Sequence, residues 1–378
     1  MNYLNRYILL VFLIVNLTAE YSLLAGISKM VFYGVLIVSV PLCLYQWNYL
    51  YKSLRECPFL LYLIFIYVTY LFSVGFQYAN TENLLYLVSK ITTFLVMLLS
   101  INFDYSFYMR KFVKVMGYII VILLVVGFNS TIGGNIRTFG FNNPNAACAI
   151  ATIGATCFLF SKEIKAYEKL MLLFCIFCVI IGHSRNMIAM LLIVVLLRYR
   201  LSFSLFVAGI LGLICAFIIL PELNFEATSL ERLLGTFNGT VQWDREIQRK
   251  SALWMIQQHP WDGNGFYFKN YGIAATYSEL GAHNGYLTLL EQMGYGFGGA
   301  CLFVILLAVL LVTTRVFRDS DLSIKRHLAI VYSVLFGAYN EDFLIGVNQI
   351  VTNMFFVSLI TLTLYMFNET DYRNNDAI

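Results

Sequence analysis

The sequence predicts an all-α polytopic membrane protein, and its composition, the length of its apolar runs and the placement of its basic residues support this prediction. Of its 378 residues, 60% are apolar and 12% are charged. Soluble domains are about half apolar and about one quarter charged. Because a single protein core cannot bury the excess, lipid must cover part of it. The composition excludes a soluble enzyme, a nucleic-acid-binding domain and a disordered chain.

Apolar runs long enough to cross a bilayer recur along the chain. A transmembrane helix needs about 20 apolar residues to cross a hydrocarbon core of about 30 Å. By this measure the sequence predicts about 12 spans, centred on 5–24, 27–45, 58–76, 84–101, 112–128, 145–160, 168–182, 187–197, 201–220, 285–312, 327–347 and 350–367. The chain is therefore divided into spans one to nine (1–220), a long loop (221–283) and spans ten to twelve (284–378).

The basic residues predict the orientation of these spans. With the N-terminus inside, sixteen of the 25 lysines and arginines fall in inner loops, where basic residues accumulate in membrane proteins. Both termini are therefore predicted to be cytoplasmic, and the long loop is predicted to be extracytoplasmic. The apolar run after Arg6 could pass for a signal peptide, but eleven further spans favour a retained first helix.

The outer loop 221–283 is predicted to fold. It carries ten aromatic residues, unlike a solvated linker. Residues 244–258 predict a helix that starts at Asp244 as N-cap and ends before Pro260, and Gly263 and Gly265 predict a tight turn. We expect this helix to lie on the membrane surface or to cap the bundle. Its aromatic rings would anchor at the interface or stack on sugar rings.

Three outer arginines, Arg137, Arg185 and Arg249, are candidates for binding a diphosphate. Arginine is permanently charged and binds phosphate oxygens through two donors at once. Each arginine could instead extend to lipid phosphates. Arg245 is a further candidate for substrate binding. Lys90, in the middle of span four, is either a support for such a site or the partner of a carboxylate in the bundle.

His283 is the candidate general base, because a neutral imidazole accepts a proton near pH 7. The alternative is a helix-terminal histidine satisfied by water, and His183 is the rival base. Asn284 follows as a candidate substrate ligand. Glu291, eight residues beyond His283, is predicted on roughly the same helix face and two turns deeper.

The remaining polar groups predict no metal or cofactor. There is no His-x3-His pair, no Asp-x-Asp in an outer loop and no phosphate-cradling glycine loop. None of the eight cysteines lies in the outer loop, so no disulfide framework is expected. Glu341 and Asp342, placed outside after span eleven, either bind a sugar or form a solvated turn.

Taken in order, these segments resemble the bacterial O-antigen ligase and Wzy-type polysaccharide polymerase superfamily. The matching pieces are Arg137 with Gly140 and Pro144-Asn145, Ser184-Arg185 before an apolar span, Arg249 with Trp254, Gly263-Asn264-Gly265, and His283-Asn284 with Glu291 and Gly294. The chain departs from the family pattern at Asn186, where members often have a small residue, and in the spacing of the glycines after Gly294.

The resemblance implies a GT-C-like, metal-independent glycosyltransferase in the bacterial plasma (inner) membrane. It implies transfer of glycan from undecaprenyl diphosphate to the hydroxyl of an acceptor glycan at the outer face. His283 then resembles the family's base, Arg185 and Arg249 its diphosphate ligands, and Arg137 a weaker match. In-line attack would invert the anomeric configuration. The expected partners are the lipid-linked donor and acceptor, membrane lipid and a chain-length regulator, but no nucleic acid.

Two alternatives remain beside a polymerase of repeat units. An O-antigen ligase would use the same chemistry and differ in its acceptor, the lipid A core. A lipid-linked oligosaccharide flippase would also have about twelve spans, but it would be expected to show two related halves and polar groups near the midplane.

Overall fold

The computed structural model describes residues 2–75, 81–130, 136–182, 184–199, 243–266, 282–317, 319–347 and 349–375. Within these ranges the regular structure is helical, apart from one isolated antiparallel bridge between Tyr21 and Phe141. The numbered helices are α1 (Asn2–Ala19), α2 (Ala25–Tyr45), α3 (Trp47–Glu56), α4 (Pro58–Tyr70), α5 (Thr81–Phe103), α6 (Val113–Ser130), α7 (Pro144–Leu159), α8 (Ala166–Ile181), α9 (Arg185–Tyr199), α10 (Trp243–Gln258), α11 (Gly285–Met293), α12 (Gly299–Val316), α13 (Leu322–Gly337) and α14 (Ile350–Asn375). The span predicted at 201–220 lies outside the described residues.

Several of the described helices are suited to cross a membrane. Five segments are long and apolar enough, and a sharply bent pair, α3 with α4, raises the number to six; the five are Ala25–Tyr45, Leu84–Phe103, Tyr105–Asn129, Gly285–Val316 and Ile350–Phe367. Three shorter helices are also apolar: Tyr7–Ala19, Pro144–Leu159 and Asn186–Tyr199. The protein is therefore an all-helical, multi-pass membrane protein. The number of twelve spans and their orientation stay predictions.

The centre of the bundle is built around α7, whose residues Ala147 to Leu159 are all buried. Alanine, glycine, cysteine and threonine dominate this helix, and small side chains let neighbouring membrane helices approach closely. A methyl group added at Gly154 would lie 2.9 Å from the Cys175 sulfur of α8, and one at Gly117 of α6 would lie 2.6 Å from Cys157 Cβ. Cys175 and Cys178 of α8 are both buried free thiols and are thus part of this packing.

One helix was not expected from the sequence. α3 meets α4 at 113°, and the break falls at Cys57-Pro58, where proline is compatible only with the first turn of the new helix. Leu50 and Leu54 of α3 are buried, whereas Trp47 is half exposed. α3 is amphipathic and too short to cross a bilayer, so its sequence does not predict a span.

The prediction of a helical span over 327–347 is wrong in its second half. α13 ends at Gly337, and residues 338–349 are here called the α13–α14 connection; its described residues, 338–347 and 349, form no regular helix. Phe343, Leu344 and Ile345 are nevertheless buried. The apolar run therefore marks burial inside the protein and not helical structure.

The predicted helix of the outer loop is present as α10, described from Trp243 to Gln258. The prediction of Asp244 as its N-cap is wrong, because Asp244 lies inside the helix. The predicted turn follows it, with positive φ at Gly263 (72°) and Gly265 (85°). Gly265 N–H donates to the carbonyl of Gln292 at 3.0 Å. The turn thus attaches α10 to the end of α11.

Candidate active site

The α13–α14 connection is the part of the molecule on which the candidate residues converge. Gly285, the first residue of α11, donates its N–H to Ala338 O at 2.8 Å and to Glu341 O at 3.0 Å. A methyl group at position 285 would lie 3.2 Å from that Glu341 oxygen. The close approach that glycine permits fixes the start of α11 against the connection.

His283 precedes α11 and does not belong to it. Its backbone has a positive φ of 43°, which is uncommon for a residue with a side chain. Its Nδ1 lies 3.7 Å from Glu341 Oε2, and about a third of the side chain is exposed. The distance is too long for a hydrogen bond but brings a carboxylate next to an imidazole that remains open to a ligand.

Glu341 also connects this imidazole to the beginning of α7. Its Oε1 accepts from Asn145 Nδ2 at 2.7 Å. Asn143 caps α7 by accepting from Asn145 N–H at 2.8 Å, with Pro144 at the first helical position. Glu341 is only 5% exposed, so of the two predicted interpretations the solvated turn is excluded.

Asp342 is held beside the same group. Its Oδ1 accepts from the Thr288 hydroxyl at 2.8 Å. Burial raises the pKa of the Asp342 carboxyl above its usual value, while the bond from Thr288 and the nearby His283 act in the opposite direction. The connection thus presents two adjacent carboxyl groups around His283.

Arg249 reaches the same connection from α10. Its Nη2 donates to Asn340 Oδ1 at 3.1 Å, and its guanidinium lies 5.0 Å from the centre of the Tyr339 ring. Asn340 Nδ2 in turn donates to Asn186 Oδ1 at 3.4 Å, and Asn186 Nδ2 donates to Gly337 O at 2.9 Å. The departure from the family pattern at Asn186 therefore has a structural role, since this amide joins α9 to the connection.

Of the other candidate arginines, the structure describes the side chain of Arg137 and the backbone of Arg185 and Arg245. Arg137, in a 3₁₀ turn before α7, donates to Gly182 O at 3.3 Å, and its buried Nε has no hydrogen-bond partner among the described residues. Arg185 is the first residue of α9, directly before Asn186. The side chains of Arg185 and Arg245, and the whole of His183, lie outside the described residues.

Lys90 supports the connection from within the bundle. It is 1% exposed and donates to Ile345 O at 3.1 Å. Its ammonium lies 5.4 Å from the centre of the Phe94 ring and 5.1 Å from that of Phe356, a cation–π arrangement. Of the two predicted roles, these contacts favour the support for the site over pairing with a carboxylate.

Asn284 and Glu291 lie on the α11 side of the site. Asn284 is the N-cap of α11, because its Oδ1 accepts from Tyr286 N–H at 3.1 Å and Leu287 N–H at 3.0 Å. Glu291 is buried, and its Oε1 has no hydrogen-bond partner among the described groups. Its backbone carbonyl accepts from Asn264 of the glycine turn at 3.0 Å. Because His283 is not in the helix, the predicted shared helix face does not apply.

A cavity of about 320 Å³ opens beside His283. The sequence named three of its polar wall residues, His283, Glu341 and Asp342, and the segment 137–145 that contains Asn142 and Asn143, but it missed Glu20, Lys29 and Gln349. No pattern in the sequence pointed to these three residues, because they come from distant elements that only the fold brings together. No group of three His, Cys, Asp or Glu side chains in the described ranges is arranged to hold a metal ion.

The helices and the site together define the class of protein: a multi-pass membrane protein with cationic, carboxylate and imidazole groups gathered at one connection. Comparison with known families agrees with this class. Residues 170–304 match a family described as O-Antigen ligase. The match confirms the resemblance to the O-antigen ligase and Wzy superfamily over a segment that runs from α8 through the outer loop into α12. No curated protein matches the chain.

Proposed function

We propose that the protein polymerises lipid-linked oligosaccharide repeat units of an O antigen or of a capsular or exopolysaccharide. In this proposal glycan passes from undecaprenyl diphosphate to an acceptor hydroxyl at the outer face of the bacterial plasma membrane. The observation that carries it is that His283 and Arg249 reach neighbouring residues of one connection, Glu341 and Asn340. The family match supports the class of reaction.

In the proposed chemistry, different residues stabilise the negative charge that develops on the diphosphate and the positive charge that develops on the base. Negative charge builds on the diphosphate as it leaves the anomeric carbon, and Arg249 with Arg185 stabilises it; Arg137 and Arg245 add positive charge nearby. His283 removes the proton of the acceptor hydroxyl, and the adjacent Glu341 carboxylate stabilises the imidazolium that forms. Attack in line with the leaving group inverts the anomeric centre. Because arginines supply the positive charge, the proposed step needs no metal ion.

The role of His283 is tested with purified full-length protein and its lipid-linked repeat unit. We expect His283→Ala to lower turnover by roughly 10²–10⁴-fold, the usual contribution of a general base. His259→Ala is the matched control, because His259 is an exposed histidine at the end of α10 and is expected to leave turnover unchanged. Undiminished polymer formation by His283→Ala would remove His283 from this role.

The role of Arg249 is tested by a substitution that keeps the positive charge but removes the bidentate guanidinium. Arg249→Lys is expected to weaken donor binding and polymer yield together, since lysine cannot bind a phosphate through two parallel bonds. Lys250→Gln changes the exposed neighbour on the same helix and is expected to have little effect. If Arg249→Lys binds the lipid-linked donor as well as the parent protein does, bidentate diphosphate binding by Arg249 is wrong.

The ligase is the second candidate, because the matching family is described as O-Antigen ligase. Deletion of the gene separates the two functions. Loss of a polymerase would leave single repeat units on the surface anchor. Loss of a ligase would leave the anchor bare and long chains on the carrier lipid, and that result would replace the polymerase proposal.

A further inference from the structure

The cavity beside His283 has three walls, built from four distant parts of the chain. One wall comes from the turn after α1 and from α2, with Glu20 and Lys29; a second comes from the residues that start α7, with Asn142 and Asn143. The third is His283 with the α13–α14 connection. Its volume of about 320 Å³ lies at the lower end of the roughly 300–1,000 Å³ of ligand pockets, which suits a sugar residue rather than a whole repeat unit.

The turn that carries Glu20 is held rigidly against the other walls. Glu20 O accepts from Asn142 N–H at 3.0 Å, and its carboxylate accepts from Ile350 N–H at 2.9 Å. Next to it, the Ser22 hydroxyl donates to Gly140 O at 2.8 Å. The cavity is therefore a preformed space and not a gap between loosely packed helices.

The charges of this cavity are opposite to those that a diphosphate needs. Its walls carry three carboxyl groups, from Glu20, Glu341 and Asp342, against one lysine, Lys29. Burial raises the pKa of the Glu20 carboxyl to about 7, against the opposing bond from Ile350 N–H, so this environment already disfavours negative charge. The guanidinium of Arg249 contacts Asn340 and Tyr339, and Arg249 is not among the lining residues.

The same groups are well suited to the hydroxyls of a sugar. Carboxylates accept hydrogen bonds, and the side-chain amides of Asn142, Asn143 and Gln349 both donate and accept. An acceptor hydroxyl bound here would lie beside His283, the proposed base. Lys29, which is exposed, adds a single positive charge to the wall.

We propose that this cavity binds the accepting sugar of the growing glycan and selects an uncharged or amino sugar over one that carries a carboxylate. The inference rests on the proposed glycosyl transfer and adds to it the chemical class of the acceptor. A sugar carboxylate in the cavity would face three acidic groups, and like charges placed together at a binding surface are strongly unfavourable.

The test uses two synthetic soluble acceptors that differ only at C6 of the accepting sugar. One carries a carboxylate and the other its methyl ester, so that size is similar and charge differs. Purified full-length protein in lipid nanodiscs, supplied with lipid-linked donor, is expected to extend the ester about tenfold or more faster than the acid, as measured by mass spectrometry. The ratio of the two rates does not depend on the folded fraction of the preparation.

A variant then ties the discrimination to the cavity. At pH 8, where the Glu20 carboxyl with its pKa of about 7 is ionised, Glu20→Gln keeps an acceptor for Ile350 N–H but removes one negative charge, and it is expected to narrow the ratio of the two extension rates. Glu163→Gln, at an exposed site between α7 and α8, is the matched control and is expected to leave the ratio as it is.

Equal extension of the acid and the ester would overturn the proposal, as would a native polymer whose accepting sugar bears a carboxylate. Either result leaves glycosyl transfer itself intact. If the proposed function is wrong, the result is different, because no glycan then passes from the lipid-linked donor to either acceptor. That result would also disprove the proposed acceptor site.

Discussion

Glu20 shows how one carboxyl group couples a cavity wall to the stability of the fold. It lies in the turn between α1 and α2, and its carboxylate accepts from Ile350 N–H, the first residue of α14. Burial raises its pKa from 4.5 to about 7. The folded protein therefore holds this proton more tightly than the unfolded chain does.

Because of this proton, the stability of the fold depends on pH. Between pH 4.5 and about 7 the unfolded state binds fewer protons at Glu20 than the folded state, so the free energy of unfolding falls as the pH rises through this window. Glu20→Gln stays neutral and keeps an acceptor for the helix end. We expect the melting temperature of the variant to equal that of the parent at pH 4.5 and to be roughly a few degrees higher than that of the parent at pH 8.

Thermal unfolding in detergent micelles across this pH range measures the difference. Glu163→Gln, an exposed carboxylate, is the reference for a general effect of removing charge. A variant that melts lower than the parent at pH 8 would contradict the prediction.

The charged groups of the site were predictable from the sequence, but their contacts were not. His283 and Arg249 stood out because charged or titratable groups are costly near lipid. The two aromatic rings around Lys90 come from α5 and α14, and a local sequence window cannot show that they meet. Glu341 was noticed, but its burial depends on Asn145 and on a cavity formed by distant turns.

The attachment of α10 to α11 depends on two facing glycines. Gly294 has a φ of 68°, and a methyl group there would lie 2.4 Å from the Trp261 carbonyl carbon. At Gly263 a methyl group would lie 2.3 Å from Gln292 O. The backbones approach so closely that a side chain at either position requires one of the segments to move.

Gly294→Ala is therefore expected to detach or shift the outer-loop helix, with reduced yield of folded protein and a lower melting temperature. Gly299→Ala is the matched control, because a methyl group there would meet nothing within 4 Å and the position begins the regular helix α12. In a helix, alanine is favoured over glycine by roughly 0.5–1 kcal/mol. Thermal unfolding and size-exclusion profiles of the two variants, compared with the parent, measure the effect; equal behaviour would contradict it.

At the scale of elements, the span predictions succeeded where an apolar run is both long and helical. α2, α7 and α8 lie within a few residues of their predicted bounds. The prediction failed after Gly337, because the apolar sequence of the α13–α14 connection has the same pattern as the continuation of a membrane helix. Apolarity reports burial, and it does not distinguish a helix from an irregular segment packed inside protein.

The orientation of the helices in the membrane is predicted from the basic residues and can be tested by cysteine labelling. The seven cysteines of the described ranges are all buried, so a parent protein with Cys215→Ser is the background for labelling introduced thiols. Glu163→Cys and Gln257→Cys place a cysteine at exposed positions on the predicted inner and outer sides. We expect a membrane-impermeant maleimide to label Gln257→Cys in intact spheroplasts and Glu163→Cys only after lysis. The reverse pattern would invert the orientation that the basic residues predict.

The walls of the cavity have a consequence for how such proteins diversify. Of the residues that line it, His283 alone falls within the segment 170–304 that the family shares. The rest lie near the N-terminus, around the start of α7 and after α13. If the cavity selects the acceptor sugar as proposed, exchanging the first two helices between related chains changes acceptor preference and leaves the region with Arg185 and Arg249 intact. Chimeras of such chains are then expected to inherit acceptor preference and diphosphate binding separately.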